Sequence, residues 1–530
     1  MRSPSLFFLS AAVSLAACAH MGRDHGPTTK KERGPNPYYN LVVSNLKAFE
    51  GDTQGSLESL LKAIEAYPEE PYLKYLAAER YVQAQNLGEA EKFLDQALKL
   101  KPKWYAAESL KAEILESKGD LKKAGEIFET LFKEGPKKEE ACFQLVQSLV
   151  HRQKYNQAAS VLNAWLAKNP ESTTALYFLA TIQNNYLNHS DEAIKIYTKL
   201  LQLEPDDTRA HSQMAQIYLK QKNNKKALEE FQAIERQYPN DLSIKLQIAS
   251  LYQEQGSIEG AIQKLNEVLE LNPEADRVHY FLGLLYEKTS AHQKALDHFE
   301  KVTSASGIFK DAVLQRVAIL KDLKEDKKAI QVLEKALQKA PKIPQFYQFL
   351  SLLLEDQGRL SDAVDWLKKG LQKAPNNEEL YFNLGSLYDK QGKKEESLKI
   401  MQKVLEINPK NAQAMNTIGY TYAEAGQNLD EAEKLIRKAL ELKPGDAYII
   451  DSLGWVYYQK GDLKKSLLYL DKAHKIFPKE PAILEHLGDL YLKMGEKRRA
   501  QKFFKEALEF GKKKVKRDEE EIKRVEKKIQ

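Results

Sequence analysis

EELYFNLGSLYDKQGKKEESLKIMQKVLEINP, residues 378–409, carries the plan of this chain in one pass. A small residue, Gly385, stands eighth and an aromatic one, Tyr388, eleventh; Gly392 is fifteenth and Pro409 thirty-second. Glycine ends a helix by accepting the left-handed conformation. Proline ends the next, because it lacks an N–H and clashes with the preceding turn. The stretch therefore predicts two antiparallel helices of about 14 residues, each roughly 21 Å long.

The closing proline keeps time along the chain, at Pro68, Pro102, Pro136, Pro170, Pro205, Pro239, Pro273, Pro341, Pro375, Pro409, Pro444 and Pro478. Successive gaps are 34 or 35 residues, except one of 68 in which Gly307 takes the missing place. Alanine recurs twelve residues before the proline, as in Ala90, Ala124, Ala227 and Ala432, and position 8 is small in most repeats, as in Ala78, Ala215, Gly283 and Gly454. Small residues there let two helices approach, and tyrosines at position 11 fill the space around them. Asp207, Asp241, Asn377, Asn411 and Asp446 follow the prolines as N-caps. A fixed period of this length means stacked helical hairpins, each packed on its neighbours, which is how 530 residues avoid needing one core.

Tyr381-x-x-Leu384-Gly385-x-x-Tyr388 resembles the first-helix signature of the tetratricopeptide repeat. Ala227-x-x-x-Phe231, Ala295-x-x-x-Phe299 and Ala500-x-x-x-Phe504 resemble its second-helix signature. The resemblance spans residues 37–511 and implies an all-α, right-handed superhelical solenoid of about fourteen hairpins. Departures are local. Trp165 and Gly370 replace a small residue at position 27, and the fifth and twelfth repeats each hold one extra residue. Residues 512–530 leave the period; Val515, Ile522, Val525 and Ile529 mark a narrow helical stripe, read either as a charged capping helix or as a basic contact to anionic envelope polymer or lipid.

The leader reads as an export signal. Arg2 precedes an apolar run from Leu6 to Ala17, too short to span a bilayer. Leu15-Ala16-Ala17-Cys18 resembles the bacterial lipobox, which implies a signal peptide over 1–17 and lipidation of Cys18. Ala19, where an aspartate would resemble an inner-membrane retention signal, favours the periplasmic face of the outer membrane. Residues 18–36, rich in Gly and Pro, read as a flexible tether with a reach of roughly 25 Å. The net charge of +6 is unevenly spread: Arg2 contributes one, residues 19–36 two and residues 512–530 four, leaving the repeat body at −1. A nucleic-acid binder would carry its basic excess over the folded surface, so none is expected as a partner.

Catalytic motifs are missing. There is no nucleotide-binding glycine loop, no H-E-x-x-H and no paired-cysteine metal site. With Cys18 lipidated, Cys142 has no partner, so no disulfide is expected; it reads as a small core residue, and His279 as a packed, hydrogen-bonded one. The expectation is a protein with no enzymatic activity, cofactor or metal.

In the family that the repeats resemble, positions 2, 5, 9 and 12 of the first helices line a groove. Carried over, these are Glu379, Phe382 and Asp389; Asn416 and Tyr420; Tyr448, Asp451, Trp455 and Tyr458; Glu485 and Asp489. This is an aromatic and acidic set of the kind binding hot spots use, although Trp455 and Tyr458 could equally pack on neighbouring repeats. The lysine and asparagine clamp of chaperone-binding members is absent. The run Ile449–Tyr458 resembles long-repeat bacterial lipoproteins, one of which is the adaptor of a carboxyl-terminal processing protease. The resemblance implies a periplasmic protein-binding scaffold whose partners are envelope proteins such as a protease and cell-wall hydrolases. The alternative is an assembly factor, pilotin-like or for polysaccharide export, serving an envelope secretion machine.

Overall fold

The computed structural model describes residues 37–135, 137–513 and 519–529. The expected signal peptide (1–17), the lipidation site Cys18, the tether (18–36) and Val515 lie outside them. The chain divides into two units, Met1–Ile244 and Lys245–Gln530. The described residues form 29 helices and no strand. In the first unit these are α1 (Pro37–Phe49), α2 (Thr53–Ala66), α3 (Pro71–Gln83), α4 (Leu87–Leu100), α5 (Tyr105–Ser117), α6 (Leu121–Glu134), α7 (Lys138–His151), α8 (Tyr155–Leu166), α9 (Thr173–Asn185), α10 (Ser190–Leu203), α11 (Thr208–Lys220) and α12 (Asn224–Gln237). The boundary falls inside α13 (Leu242–Glu254). The second unit continues with α14 (Ile258–Leu271), α15 (Asp276–Lys288), α16 (His292–Lys301), α17 (Phe309–Asp322), α18 (Asp326–Lys339), α19 (Pro344–Asp356), α20 (Leu360–Lys373), α21 (Glu378–Lys390), α22 (Lys394–Ile407), α23 (Ala412–Glu424) and α24 (Leu429–Leu442). It ends with α25 (Ala447–Gln459), α26 (Leu463–Ile476), α27 (Pro481–Lys493), α28 (Lys497–Lys513) and α29 (Glu519–Ile529). Odd-numbered helices are first helices, even-numbered ones second helices. The all-α stack of hairpins read from the sequence is what the chain forms.

The periodic residues act as their chemistry requires. Asp207, Asn377 and Asn411 accept the N–H of Ala210, Leu380 and Ala414 at 2.8–2.9 Å, and Asp446 accepts from Tyr448 and Ile449. Each such cap stabilises its helix by about 1 kcal/mol. Where position 8 is glycine the partner helix leaves no room for more: a Cβ on Gly454 would stand 2.7 Å from Leu470, and one on Gly283 2.6 Å from Phe299. The tyrosine at position 11 stacks on a ring twelve residues later in the same hairpin, as in Tyr81–Phe93, Tyr457–Tyr469 and Tyr491–Phe503, with centroids 5.4–5.6 Å apart. The two extra residues are absorbed in the short turns α9–α10 and α23–α24, where Asn188 and Asn428 take positive φ.

One recurring bond was not legible in the sequence. The side chain at position 4 donates to the carbonyl of the period proline six residues earlier: Lys74 to Pro68, His211 to Pro205 (3.0 Å), His279 to Pro273 (2.9 Å) and Tyr347 to Pro341 (3.0 Å). His279 is thus packed and hydrogen-bonded, as expected. Its Nδ1 faces Nδ1 of His298 at 3.0 Å, and burial with the neighbouring His279 pushes His298 down to about 4. Cys142, also at position 4, is fully buried; burial pushes its thiol up to about 12.

The turn inside each hairpin needs one residue in the left-handed region. The last five hairpins use Gly358, Gly392, Gly426, Gly461 and Gly495 there. Earlier ones often do not: Gln85, Gln153, Lys222, Ser290 and Lys324 hold φ of 57–61°.

Candidate partner-binding face of the last repeats

Asn416 and Tyr420 lie on α23, Asp451, Trp455 and Tyr458 on α25, and Glu485 and Asp489 on α27. Tyr420, Asp451 and Trp455 come together around a residue that the sequence reading missed, His486, at position 6 of α27. Its Nδ1 is 2.8 Å from Asp451 Oδ2 and its Nε2 3.4 Å from the Tyr420 hydroxyl. Trp455 stacks on the His486 ring at 4.2 Å and on Tyr458 at 4.5 Å, nearly parallel to the latter. Lys493 closes the column, its Nζ 4.2 Å from the Tyr458 ring and donating to the Tyr458 carbonyl at 3.1 Å. Burial lowers the His486 pKa, but Asp451 beside it outweighs burial and the net shift is upward. Burial pushes the Tyr420 phenol up, aided by the nearby Glu424 and Asp451 carboxylates.

Glu485 and Asp489 are held by the chain's own last helix. Arg524 donates to both Glu485 oxygens at 2.7 and 2.8 Å, and Lys528 to Glu485 at 2.7 Å and Asp489 at 2.6 Å. Glu485 is buried, yet these two cations hold its carboxyl below the ordinary range; Asp489, where burial dominates over Lys528, is shifted up. The register explains the pairing. Position 5 of α25 meets position 6 of α27 (Asp451–His486), and Arg524 is the sixth residue of α29. So α29 stands as a fifteenth first helix, with Ile522 and Val525 buried, the latter in one cluster with Leu484, Phe504 and Ala507. A strict period would have started it at residue 515, four earlier than Glu519. Arg524 and Lys528 reach the carboxylates of α27, Arg524 while remaining half exposed, and Lys523 and Lys527 are exposed.

The other expected residues stand apart from this column. Tyr448 is half exposed, 5.5 Å from the Phe477 ring, and its hydroxyl donates to Glu480 at 3.4 Å. Phe382 is partly buried against the cluster of Met401, Val404 and Ile418. Glu379 accepts from Gln348, and Asp389 pairs with Lys394, which also reaches Glu424. The free acidic surface is therefore smaller than the residue types suggest, because its carboxylates find cations 5 to 43 residues away in the chain. Three polar atoms of the expected face remain buried with no partner: Asn416 Oδ1, Asp451 Oδ1 and Trp455 Nε1.

Sequence models of the tetratricopeptide repeat match residues 45–103, 75–139, 115–182, 188–251, 233–431 and 481–510, well over half of the chain together. The chain belongs to the tetratricopeptide repeat family. No curated protein matches its sequence. Among solved structures, this tetratricopeptide repeat chain is similar to the APC/C hetero-tetramer Cut9-Hcn1, at 15% identity over 86% of this chain and 96% of that one, with a TM-score of 0.34. It is also similar to a tetratricopeptide repeat protein from Parabacteroides merdae ATCC 43184, at 17% identity over 54% of this chain and 97% of that one, TM-score 0.35. A third is MamA 41-end from Desulfovibrio magneticus RS-1, at 20% identity over 33% and 97%, TM-score 0.28. Superpositions this loose add nothing to the family assignment.

Tetratricopeptide repeats bind other proteins and are generally non-catalytic scaffolds. Among the described residues no group of three or more His, Cys, Asp or Glu is placed to hold a metal, and no helix is long and apolar enough to cross a membrane.

Proposed function

We propose that this chain is a non-catalytic scaffold, anchored through lipid on Cys18 at the periplasmic face of the outer membrane, that captures envelope proteins on the first-helix face of α23, α25 and α27. The observation that supports capture there is the pairing of an ordered aromatic column with three buried, unpartnered polar atoms, Asn416 Oδ1, Asp451 Oδ1 and Trp455 Nε1. Each unmet group costs about 1–3 kcal/mol; the three atoms have almost no accessible surface as they stand, so a partner recovers that cost by shifting these side chains as it supplies a donor and an acceptor. Aromatic anchors beside such groups are where interface energy concentrates. The lipobox resemblance at Leu15–Cys18 supports the location, and the run Ile449–Tyr458 supports the role of adaptor: one arm holding a processing protease and its cell-wall hydrolase substrates raises their effective concentration for each other.

Crosslinking in the intact envelope followed by mass spectrometry tests this. The expected captures are a protease and hydrolases; recovery of a secretin instead would move the chain to the assembly-factor role. Trp455→Ala is expected to reduce capture about tenfold or more with helical circular dichroism unchanged, and undiminished capture would remove this face from consideration. Mass measurement of the mature amino terminus reads acylation of Cys18 separately.

A further inference from the structure

The two ends of the array are finished differently. At the C-terminal end α29 covers the last hairpin. At the other end, among the described residues, α1 leaves uncovered the positions that interior repeats bury. Counting from the start of each first helix, position 3 is 6% exposed at Leu73, 2% at Ile449 and 0% at Ile483. Position 10 is 0% exposed at Val456 and Leu490. These residues cluster with the preceding second helix: Leu73 with Leu60 and Ala63, Ile449 with Ile436 and Ala439, Ile483 with Leu470 and Ala473. On α1 the same positions, 3, 6 and 10, are Tyr39, Val42 and Leu46, exposed by 63%, 51% and 57%, and one turn on Phe49 is 92% exposed. The spacing of three, four and three residues puts all four on one stripe of the helix. An end that only needs to meet water carries polar residues there. This one keeps large apolar ones.

The size and charge of the stripe say what suits it. At about 150–200 Å² per large side chain, the exposed fractions leave roughly 500 Å², below the ~800 Å² per partner of a standard stable interface. The helix contains no acidic residue and one cation, Lys47, and the chain just ahead of it carries Lys30, Lys31 and Arg33 against a single acid in that run, Glu32. An apolar helical face preceded by a cationic run suits a bilayer interface beside anionic headgroups; Glu50 and Asp52, just past Phe49, put two acids at its far end. We propose that α1 is a membrane-docking helix whose Tyr39, Val42, Leu46 and Phe49 stripe rests on an anionic lipid surface. Together with the proposed acyl anchor, on which the physiological setting rests, it supplies a second membrane contact 21 residues beyond Cys18 at Tyr39 and fixes how the first hairpin meets the bilayer.

The test uses the full chain with Cys18→Ser, which cannot be acylated, so that a failed anchor and a failed helix are told apart. It is mixed with vesicles of phosphatidylethanolamine and phosphatidylglycerol, and with pure phosphatidylcholine vesicles as the uncharged arm. Backbone amide exchange across α1 is expected to slow about tenfold on the anionic vesicles and much less on the neutral ones. Leu46→Glu with Phe49→Glu, both at exposed positions and sharing the same leader, is expected to lower vesicle flotation at least fivefold while circular dichroism stays the same. Equal flotation of the two chains, or α1 exchange indifferent to vesicles, overturns the proposal. So does α1 protection without lipid accompanied by a doubled mass in sedimentation, which would assign the stripe to a second copy.

Discussion

Replacing Phe504 by alanine is expected to cost about 3–5 kcal/mol, the range for emptying a large aromatic site in a packed core, and to release α29. Phe504 is 1% exposed and sits at the join of the last three helices. Its ring fills the space opposite Gly488, shares a cluster with Leu484 and Val525, and lies 5.7 Å beneath Lys528 Nζ. Removing it opens a cavity and also takes away the floor on which Val525 and the two cations of α29 are held. Because the helices pack on those of adjacent repeats, with a side-chain reach such as Tyr420–His486 extending one repeat further, the loss should stay at this end. Hydrogen exchange should speed up through α27–α29 while α19 and α20 keep their protection. Uniform loss along the chain would refute nearest-neighbour stacking, and no loss anywhere would refute the role assigned to Phe504.

The second large effect concerns Asp451. Asp451→Ala leaves His486 buried among aromatic rings without its carboxylate, and breaking a buried pair from one side typically costs about 3–5 kcal/mol. The pair also makes stability depend on pH. The folded pKa of His486 is raised above the ordinary 6.5, so the fold favours its protonated form. The resulting stability is fully present below about pH 6.5 and is lost as pH rises through the folded value. Amide exchange in α25 and α27 should therefore quicken between pH 6 and pH 9, after correction for intrinsic exchange. Asp451→Asn keeps the shape and removes the charge, and should flatten that dependence. A slope unchanged by Asp451→Asn would exclude the pair as its source.

What could be read from the sequence was what acts locally. Gly454 against Leu470 and Tyr491 against Phe503 lie within one hairpin, 16 and 12 residues apart, and their residue types announce the helix, the turn and the stop. In the candidate face, the Trp455–Tyr458 pair was legible for the same reason. The polar half of that face was not. His486 answers Asp451 from 35 residues away, and Arg524 and Lys528 answer Glu485 from 39 and 43 residues away on a helix that has slipped four residues off the period. Position 2 misled in a different way: Tyr448 takes its contacts from Phe477 and Glu480 in the connection that follows α26, outside the column.

The choice of residue in the hairpin turns has a last consequence. Gln85, Gln153, Lys222, Ser290 and Lys324 sit in a conformation that disfavours any side chain by about 1–2 kcal/mol, while the five turns from Gly358 onward use glycine at that place, the α23–α24 turn adding Asn428 beside it. Tension is thus stocked mainly in the earlier hairpins, Asn428 being the exception among those that present the aromatic column. Since stacked repeats contribute nearly independently, the turns at Gln85, Gln153, Lys222, Ser290 and Lys324 are separate reserves of unclaimed robustness, open to natural drift or to design, and none of them lies in the hairpins proposed to meet a partner.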